Sequence, residues 1–440
     1  MNDRIENHRR RFLKTTAAAF GVATLPRWAQ AQSAPAVITD PSARPVAAQG
    51  LQFGDSRAGS AIVWSRSDRP ARLIVEYALD EQFADARKVI GPHALKSTDY
   101  TVRQELVGLP PGRDVFVRAS FQGLDNSRAL SEPVLGRLRT PSLSARDIRF
   151  VWGGDTAGQG WGINPAFGGM RIYEAMRQRR PHFFIHSGDT IYVDGPITSS
   201  LVAENGRTWN NIVTPEVSKV AETLDEFRGR YRYNLLDENV RRFNAEVPQI
   251  WQWDDHEVTN NWSDAKDLSG DSRYTEKNVP LLTARGGRAF LEYAPMRPFG
   301  AVESERIYRK FSHGPLLDVF VVDMRSYRGP NSFNRQTAPG PETALFGREQ
   351  LNWLERELSR SRAAWKVIAA DMPIGLLIGD GRDAQDRSRF EGPTNGDGPA
   401  LGREFEVAEL LTHIKHDKVL NDGRISREEF TDNYTAVPAR

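Results

Sequence analysis

Between about residues 36 and 141, short apolar runs alternate with turn residues, and this pattern predicts β-strands rather than helices. The strand-like runs are residues 61–66, 72–77, 100–107 and 114–123. In the last run every second position is apolar and the others are polar, apart from Phe116; the apolar set is Val115, Val117, Ala119 and Phe121. A period of two residues is typical of a strand that buries one face. We therefore predict a small antiparallel β-sandwich for residues 36–141.

From residue 147 onwards the pattern changes to buried strands that alternate with amphipathic helices. The predicted strands are residues 148–152, 182–186, 249–253, 317–322 and 365–369. The predicted helices are residues 169–179, 279–293, 348–361 and 404–415. The stretch from residue 195 to 247 is polar without a clear period, so we predict irregular excursions over one face. The fold class predicted for residues 147–440 is α/β or α+β.

The first 31 residues have the three-part pattern of an export signal. A basic segment, Arg9 to Lys14, precedes small and apolar residues up to Leu25, and Ala29-Gln30-Ala31 forms a small-residue cleavage site. The paired arginines followed by x-Phe-Leu-Lys resemble a twin-arginine signal, although His8 stands where Ser or Thr is usual. An amphipathic basic helix is the alternative. The expected partners are the twin-arginine translocation machinery and signal peptidase, and the expected location is periplasmic or secreted.

Composition narrows the possible chemistry. The 440 residues include 59 Lys+Arg and 57 Asp+Glu; residues 32–440 have 53 against 55, a net charge of −2. With no long basic run after residue 31, we expect no nucleic-acid-binding domain. The absence of cysteine excludes disulfides, thiolate catalysis and cysteine-ligated metals. No segment after the signal is long and apolar enough to span a bilayer, so we expect no stable membrane anchor.

Several predicted strands end in acidic residues or histidine. These ends are Asp155, Asp189, the run Asp254-Asp255-His256-Glu257, and Asp371. Loops at the same edge of a sheet line one cleft, so we expect these side chains to converge. Clustered carboxylates repel one another unless protons or cations neutralise them. The pattern therefore predicts a multivalent metal site with oxygen-rich ligands.

The order of these motifs resembles the PhoD-type alkaline phosphatases of the calcineurin-like metallophosphoesterase superfamily. The resemblance rests on FVWGGD (150–155), SGDTIYVD (187–194), WDDHE (253–257) and WKVIAADMP (365–373), together with the signal and the sandwich, which looks like a fibronectin type III-like module. It implies a metallophosphoesterase β-sandwich flanked by helices. It also implies an exported alkaline phosphatase or phosphodiesterase that hydrolyses phosphate esters with a metal-activated water. We expect the N-terminal sandwich to be a structural cap packed on the catalytic region, with a ligand-binding or adhesion domain as the alternative.

The resemblance also implies roles for individual residues. Asp189 would bridge two metal ions, expected to be Fe³⁺ and Ca²⁺; Asp155 and Tyr192 would bind the first and Asp255 and Asp371 the second, with Asn260 as an accessory. His256 would be catalytic, bonding a phosphoryl oxygen or protonating the leaving group, and Asp254 or Glu257 could orient it. Arg325 could contact substrate or form a structural ion pair.

The C-terminal part departs from the family pattern. The family's later Asp-x-His type motif is absent after Leu420, and we expect a truncated or altered reading frame near residue 421, which puts activity in doubt. Residues 422–429 match half of an EF-hand loop without its first ligands, and we interpret them as a polar tail. The alternatives are an inactive member that binds phosphate or a cell-envelope partner, and a sugar hydrolase with paired carboxylates. The Gly-Asp and Asp-Asp-His-Glu motifs argue against the sugar hydrolase.

Overall fold

A computed structural model of the protein describes residues 40–416, except residues 157, 264 and 397. The chain divides into two compact units after Arg44. Of the first unit only residues 40–44 are described, and they contain the 3₁₀ turn Pro41–Ala43. The predicted export signal (residues 1–31) and the tail around residues 421–429 lie outside the described residues. All strands and helices named below belong to the second unit.

The N-terminal part of the second unit is all-β, which confirms the prediction from the alternating pattern. Its strands are β1 (Leu51–Arg57), β2 (Ser60–Arg66), β3 (Ala71–Ala78), β4 (Arg87–Ala94), β5 (Thr101–Val107), β6 (Asp114–Gly123) and β7 (Val134–Arg139). One antiparallel sheet has the order β4-β3-β6-β7. The predicted apolar face of β6 is buried in a core shared with Phe53 of β1 and Val63 of β2.

The second sheet joins this region to the rest of the unit. Its order is β5-β2-β1-β12-β9-β8, where β8 is Phe150–Gly153, β9 is Phe183–Ser187 and β12 is Gln249–Gln252. Strand β1 pairs in parallel with β12 at Gly54 and Gln249. A Cβ at position 54 would lie 2.4 Å from the carbonyl oxygen of Pro295 and 2.8 Å from that of Gln249, so glycine is required for this approach. The boundary at residues 141–147 therefore stays a prediction, since one hydrogen-bonded sheet includes strands from both sides.

A further sheet packs against this one to form the sandwich that carries the strand-end acids. It contains β13 (Arg309–His313), β14 (Leu317–Val321) and β15 (Trp365–Ala369), with β13 antiparallel and β15 parallel to β14. The core between the two sheets includes Phe183 and Ile250 from the first, and Phe311, Val319 and Ala369 from the second. The mixed α/β fold class is confirmed.

Helices cover the outer faces of this sandwich. They are α1 (Arg171–Gln178), α2 (Leu224–Asn234), α3 (Glu238–Asn244), α4 (Val279–Tyr293), α5 (Arg348–Arg360) and α6 (Glu404–His416). Residues of α2, α3 and α4 share a core with Phe184 and Trp251, whereas α5 and α6 pack near Phe320 of β14. Two short hairpins lie in the connections: β10–β11 (Ser200–Val202, Thr208–Asn210) and β16–β17 (Gly379–Arg382, Ser388–Phe390). In the described residues, no helix is long and apolar enough to cross a membrane.

The prediction of an irregular region between residues 195 and 247 was wrong for its second half, which forms α2 and α3. Thr223 and Glu226 form a reciprocal capping box at the start of α2, and Asp237 caps α3 through the N–H groups of Asn239 and Val240. Buried arginines obscure the apolar period: Arg228 of α2 is buried and pairs with Glu292 of α4 at 2.6 Å. The capping signals were present in the sequence, but the helical period was not.

Candidate metal centre

The four acidic strand ends come together in one region of the sandwich. Asp155 follows β8, Asp189 follows β9, Asp254 to Glu257 follow β12, and Asp371 follows β15. Burial raises the pKa of Asp189 well above its usual value, and the negative charges of Asp254, Glu257, Asp255 and Asp155 raise it further. Burial and the charge of Asp254 likewise raise the pKa of Asp371 well above its usual value. The structure therefore brings these side chains together, as the sequence predicts.

The backbone of the first two strand ends is held in an uncommon conformation. Asp155 and Asp189 have φ values of 58° and 52°, in the left-handed region that L-residues other than glycine seldom adopt. The two loops are bonded side by side: Asp155 N–H donates to the carbonyl of Gly188 (3.3 Å), and Thr156 N–H donates to that of Asp189 (2.8 Å). Such conformations cluster at functional sites, where the surrounding structure must hold them.

Three side chains form a compact group of potential metal donors. Asp189, Asp255 and His256 are all buried, and each offers one ligand atom within 4.8 Å of the others. The main-chain N–H of His256 donates to Oδ1 of Asp189 at 3.1 Å, and the N–H of Asn261 donates to Oδ2 of Asp255. These contacts fix the carboxylates of two strands relative to each other.

His256 is oriented by Asp194, the last residue of the SGDTIYVD motif. Its Nδ1 bonds Oδ1 of Asp194 at 2.7 Å, and its ring stacks on Tyr192 with centroids 4.2 Å apart. The N–H of Asn260 donates to the other oxygen of Asp194 at 2.8 Å. Burial lowers the pKa of His256, but the bond to Asp194 and the charge of Asp255 outweigh it and raise the pKa to about 9. The expectation that Asp254 or Glu257 orients His256 was therefore wrong.

Glu257 ties the loops together. Its side chain is fully buried and accepts from three main-chain N–H groups: Asp189 (3.2 Å), Thr190 (2.6 Å) and Asp254 (2.8 Å). Burial raises its pKa to about 7 despite these bonds. Because its oxygens are occupied by the backbone of both strand ends, Glu257 positions the loops and does not reach His256.

Tyr192 and Asp155 also lie close enough to Asp189 for their charges to interact. Burial raises the pKa of Tyr192 strongly, and the charges of Asp189 and Asp155 raise it further, so the phenol stays protonated unless a cation offsets them. Gly158 packs on the Tyr192 ring so closely that a Cβ there would lie 2.5 Å from it. Asp155 itself is exposed to solvent. Both residues are therefore near the bridging position predicted for Asp189.

Asp371 and Arg325 complete the cluster. Both carboxylate oxygens of Asp371 are buried and accept no hydrogen bond. Arg325 is 2% exposed; its Nε donates to Asp254 at 2.5 Å, and its guanidinium also pairs with Glu391. It lies 3.7 Å from an oxygen of Asp255 and 3.7 Å from one of Asp371. The sequence did not decide whether Arg325 contacts substrate or forms a structural ion pair. In the structure Arg325 forms ion pairs with the acidic residues of the cluster.

The donors fit a hard multivalent cation. Buried carboxylate oxygens normally accept hydrogen bonds, and those of Asp371 accept none, which leaves their lone pairs free for a cation. The proposed donors are carboxylate and phenol groups, which suit iron, manganese or calcium rather than a soft metal. The fit concerns Asp155, Asp189, Tyr192, Asp255 and Asp371; their roles as ligands remain predictions.

Comparison with protein families gives a consistent result. A family model described as PhoD-like phosphatase matches residues 150–422, and one described as its N-terminal domain matches residues 30–142. Alkaline phosphatase D of Bacillus subtilis (strain 168) is 28% identical over 344 residues, which are 73% of this chain and 54% of that protein. The chain thus spans about half the length of this curated relative.

Solved structures show the same relationship. A structure of PhoD has a TM-score of 0.66 and 25% identity, and the match covers 86% of this chain and 70% of the other. A purple acid phosphatase from yellow lupin (Lupinus luteus) seeds has a TM-score of 0.50 at 14% identity, covering 80% of this chain and 55% of the other. At that identity the second match indicates a shared fold.

Proposed function

The chain belongs to the PhoD-like phosphatase family, and we propose that it hydrolyses phosphate esters as an exported, metal-dependent phosphomonoesterase and phosphodiesterase. One observation carries the proposal: the carboxylates of Asp189 and Asp255 offer oxygens within 4.8 Å of each other inside a buried acidic cluster, and the imidazole of His256 lies within the same distance of both. A buried cluster of this charge is costly unless it binds cations, and phosphate esters are anions that need cations to bind beside carboxylates.

We propose the following assignment of ligands to two metal ions. Asp155 and Tyr192 would hold one metal ion, Asp255 and Asp371 would hold a second, and Asp189 would contribute to both. The expected pair is Fe³⁺ and Ca²⁺, as the family resemblance implies. When bound, the ions supply Lewis acidity that lowers the pKa of water and offsets charge developing on the phosphoryl oxygens.

His256 is the proposed acid or hydrogen-bond donor to the substrate. Because Nδ1 is engaged by Asp194, Nε2 is the ring nitrogen that is left to donate to a substrate. A pKa of about 9 keeps the metal-free imidazole protonated at neutral pH. Nε2–H then donates to a phosphoryl oxygen or to the departing ester oxygen, and Asp194 stabilises the charge on the ring.

The test is hydrolysis of p-nitrophenyl phosphate and bis(p-nitrophenyl) phosphate by the full chain at alkaline pH, with and without added iron and calcium. Asp189→Asn should lose at least 100-fold in kcat with little change in volume. The matched control is Asp99→Asn. Asp99 is also buried, and its backbone also has a left-handed conformation (φ 50°), but its side chain lies outside the cluster and pairs with Arg66 and Arg232. Equal activity of Asp189→Asn and wild type would contradict the metal site. Binding of phosphate without turnover by wild type would favour the inactive alternative.

Export through the twin-arginine route is a separate proposal, supported by the order of residues 1–31. Replacing Arg9 and Arg10 together by lysine should retain the protein in the cytoplasmic fraction and leave its activity intact. Cell fractionation with an activity assay checks this, and unchanged export of the double variant would contradict it.

A further inference from the structure

Arg325 is a fixed positive charge of the protein itself that lies beside the acidic cluster. Among the residues that the structure describes, Arg325 is the only lysine or arginine that forms an ion pair with Asp254, Asp255 or Asp371. Its side chain is 2% exposed, so water does little to screen its charge. Arginine also stays protonated in proteins. The cluster therefore contains a fixed positive charge before any metal binds.

This charge lies on one side of the cluster only. We call Asp254, Asp255, Asp371 and Arg325 the arginine half, and Asp155, Asp189 and Tyr192 the tyrosine half. No lysine or arginine among the described residues forms an ion pair with Asp155 or Asp189 within 4.0 Å. The proposed ligands Asp255 and Asp371 therefore each have a guanidinium group 3.7 Å away, whereas Asp155 and Asp189 have no lysine or arginine beside them among the described residues.

The position of Arg325 is fixed from both ends. Its main-chain N–H donates to Oδ1 of Asp323 at 3.0 Å, and Asp323 also accepts from Trp253 Nε1 at 3.1 Å, which joins the turn to the end of β12. At the other end, Nη1 pairs with the buried Glu391. The guanidinium cannot swing out of the cluster without breaking these contacts.

The contacts of Arg325 leave the proposed ligand oxygens of Asp255 and Asp371 able to bind a metal ion. At 3.7 Å, Arg325 is too far from Asp255 and Asp371 to hydrogen-bond to the oxygens concerned. Asp371 therefore keeps its lone pairs, yet feels the positive charge. A metal ion could still bind these oxygens, but it would be repelled by the guanidinium in a poorly screened interior.

We propose that Arg325 acts as a built-in cation of the arginine half, so that the protein binds its second metal ion at least tenfold more weakly than its first. This inference rests on the proposed metal centre. It makes Arg325 a determinant of metal affinity, which is distinct from holding the fold together. A purely structural arginine would change stability when replaced, without changing the ratio of the two affinities.

Titration of the chelator-stripped full chain with Mn²⁺, with free Mn²⁺ counted by its EPR signal, tests the inference. Wild type should show one tight site and a second at least tenfold weaker. Arg325→Gln should bind the second ion at least tenfold more tightly, whereas Arg325→Lys, which keeps the charge, should resemble wild type. Arg228→Gln is the matched control, because it removes a buried arginine from a carboxylate, Glu292, outside the cluster; it should leave both affinities unchanged.

Two equal sites in wild type, or an unchanged second affinity in folded Arg325→Gln, would overturn the inference while leaving the metal centre in place. If Arg325→Gln does not fold, the ratio of the two wild-type affinities and the Arg325→Lys titration decide the question. Absence of bound Mn²⁺ in every variant would overturn the proposed metal centre and this inference with it.

Discussion

At the scale of single residues, the imidazole of His256 is held by two neighbours from one short motif. Asp194 accepts from Nδ1, and Tyr192 stacks on the ring face. Both come from the segment that also supplies Asp189, three and five residues before them. One strand end therefore provides a proposed metal bridge, a proposed metal ligand and the partner that fixes the proposed acid.

Asp194→Asn should weaken proton donation by His256 without removing the imidazole. The amide carries no charge to stabilise the protonated ring, and general acid catalysis typically contributes 10²- to 10⁴-fold. We expect kcat to fall by about 100-fold on phenyl phosphate and by less on p-nitrophenyl phosphate, whose better leaving group needs less protonation. Steady-state kinetics with both esters, corrected for the folded fraction, measures this.

Asp237→Asn is the matched control for this change, because Asp237 is equally buried but caps α3 outside the site. Asparagine is also a good N-cap, so the control should keep wild-type kcat. An equal loss on both esters in Asp194→Asn would indicate a role in structure rather than in proton donation.

At the scale of elements, the site depends on how closely the ends of β9 and β12 approach. Gly188 has φ 88°, and a Cβ there would lie 2.4 Å from Cβ of Asp254 and 2.6 Å from its main-chain nitrogen. Glu257 then bonds both loops through the N–H groups of Asp189 and Asp254. Separation of the loops would misplace Asp189 and Asp255 together.

Gly188→Ala should therefore disable the site as well as strain the backbone. We expect at least a 100-fold loss in kcat/KM, since misplacement of reacting groups by about 1 Å costs roughly that much. Gly206→Ala is the control: its φ is 75°, but no atom lies within 4 Å of the added Cβ. It should cost about 1–2 kcal/mol for the left-handed backbone and keep full activity. Equal activity losses in the two variants would show that close approach of the loops is not essential.

The sequence predicted the elements of the site better than the contacts between them. The four strands that end in acids were found within two residues of their bounds, because buried strands and turn residues are local signals. The bond from His256 to Asp194 was missed, since 62 residues separate the partners and Asp254 and Glu257 were nearer in sequence. The pairing of β1 with β12 was missed for the same reason: nothing local records that Gly54 faces Gln249.

At the scale of the whole molecule, the cluster and the buried histidines respond to pH in opposite directions. Burial raises the pKa of Asp254 from 3.8 to about 6 and that of Glu257 from 4.5 to about 7. A carboxyl group whose pKa is raised in the folded protein stabilises the folded state at low pH. This contribution is lost as pH rises from 3.8 to about 6 for Asp254 and from 4.5 to about 7 for Glu257. Burial lowers the pKa of His186 and His313 from 6.5 to about 4, which contributes stability as pH rises. The free energy of unfolding of the metal-free protein therefore depends on pH through the sum of both effects.

The stabilisation by metal mainly reports the cluster, because burial is the main cause of the lowered pKa of both His186 and His313, and only His186 also feels a proposed ligand, Asp155. Cations bind the ionised carboxylates, so binding must displace the protons that the proposed ligands Asp189 and Asp371 hold because burial raises their pKa. We therefore expect saturating Mn²⁺ to raise Tm by several degrees more at pH 7.5 than at pH 5.0, relative to protein in EDTA. Asp189→Ala should show little gain at either pH. A gain as large at pH 5.0 as at pH 7.5 would mean that the bound ions do not depend on these carboxylates.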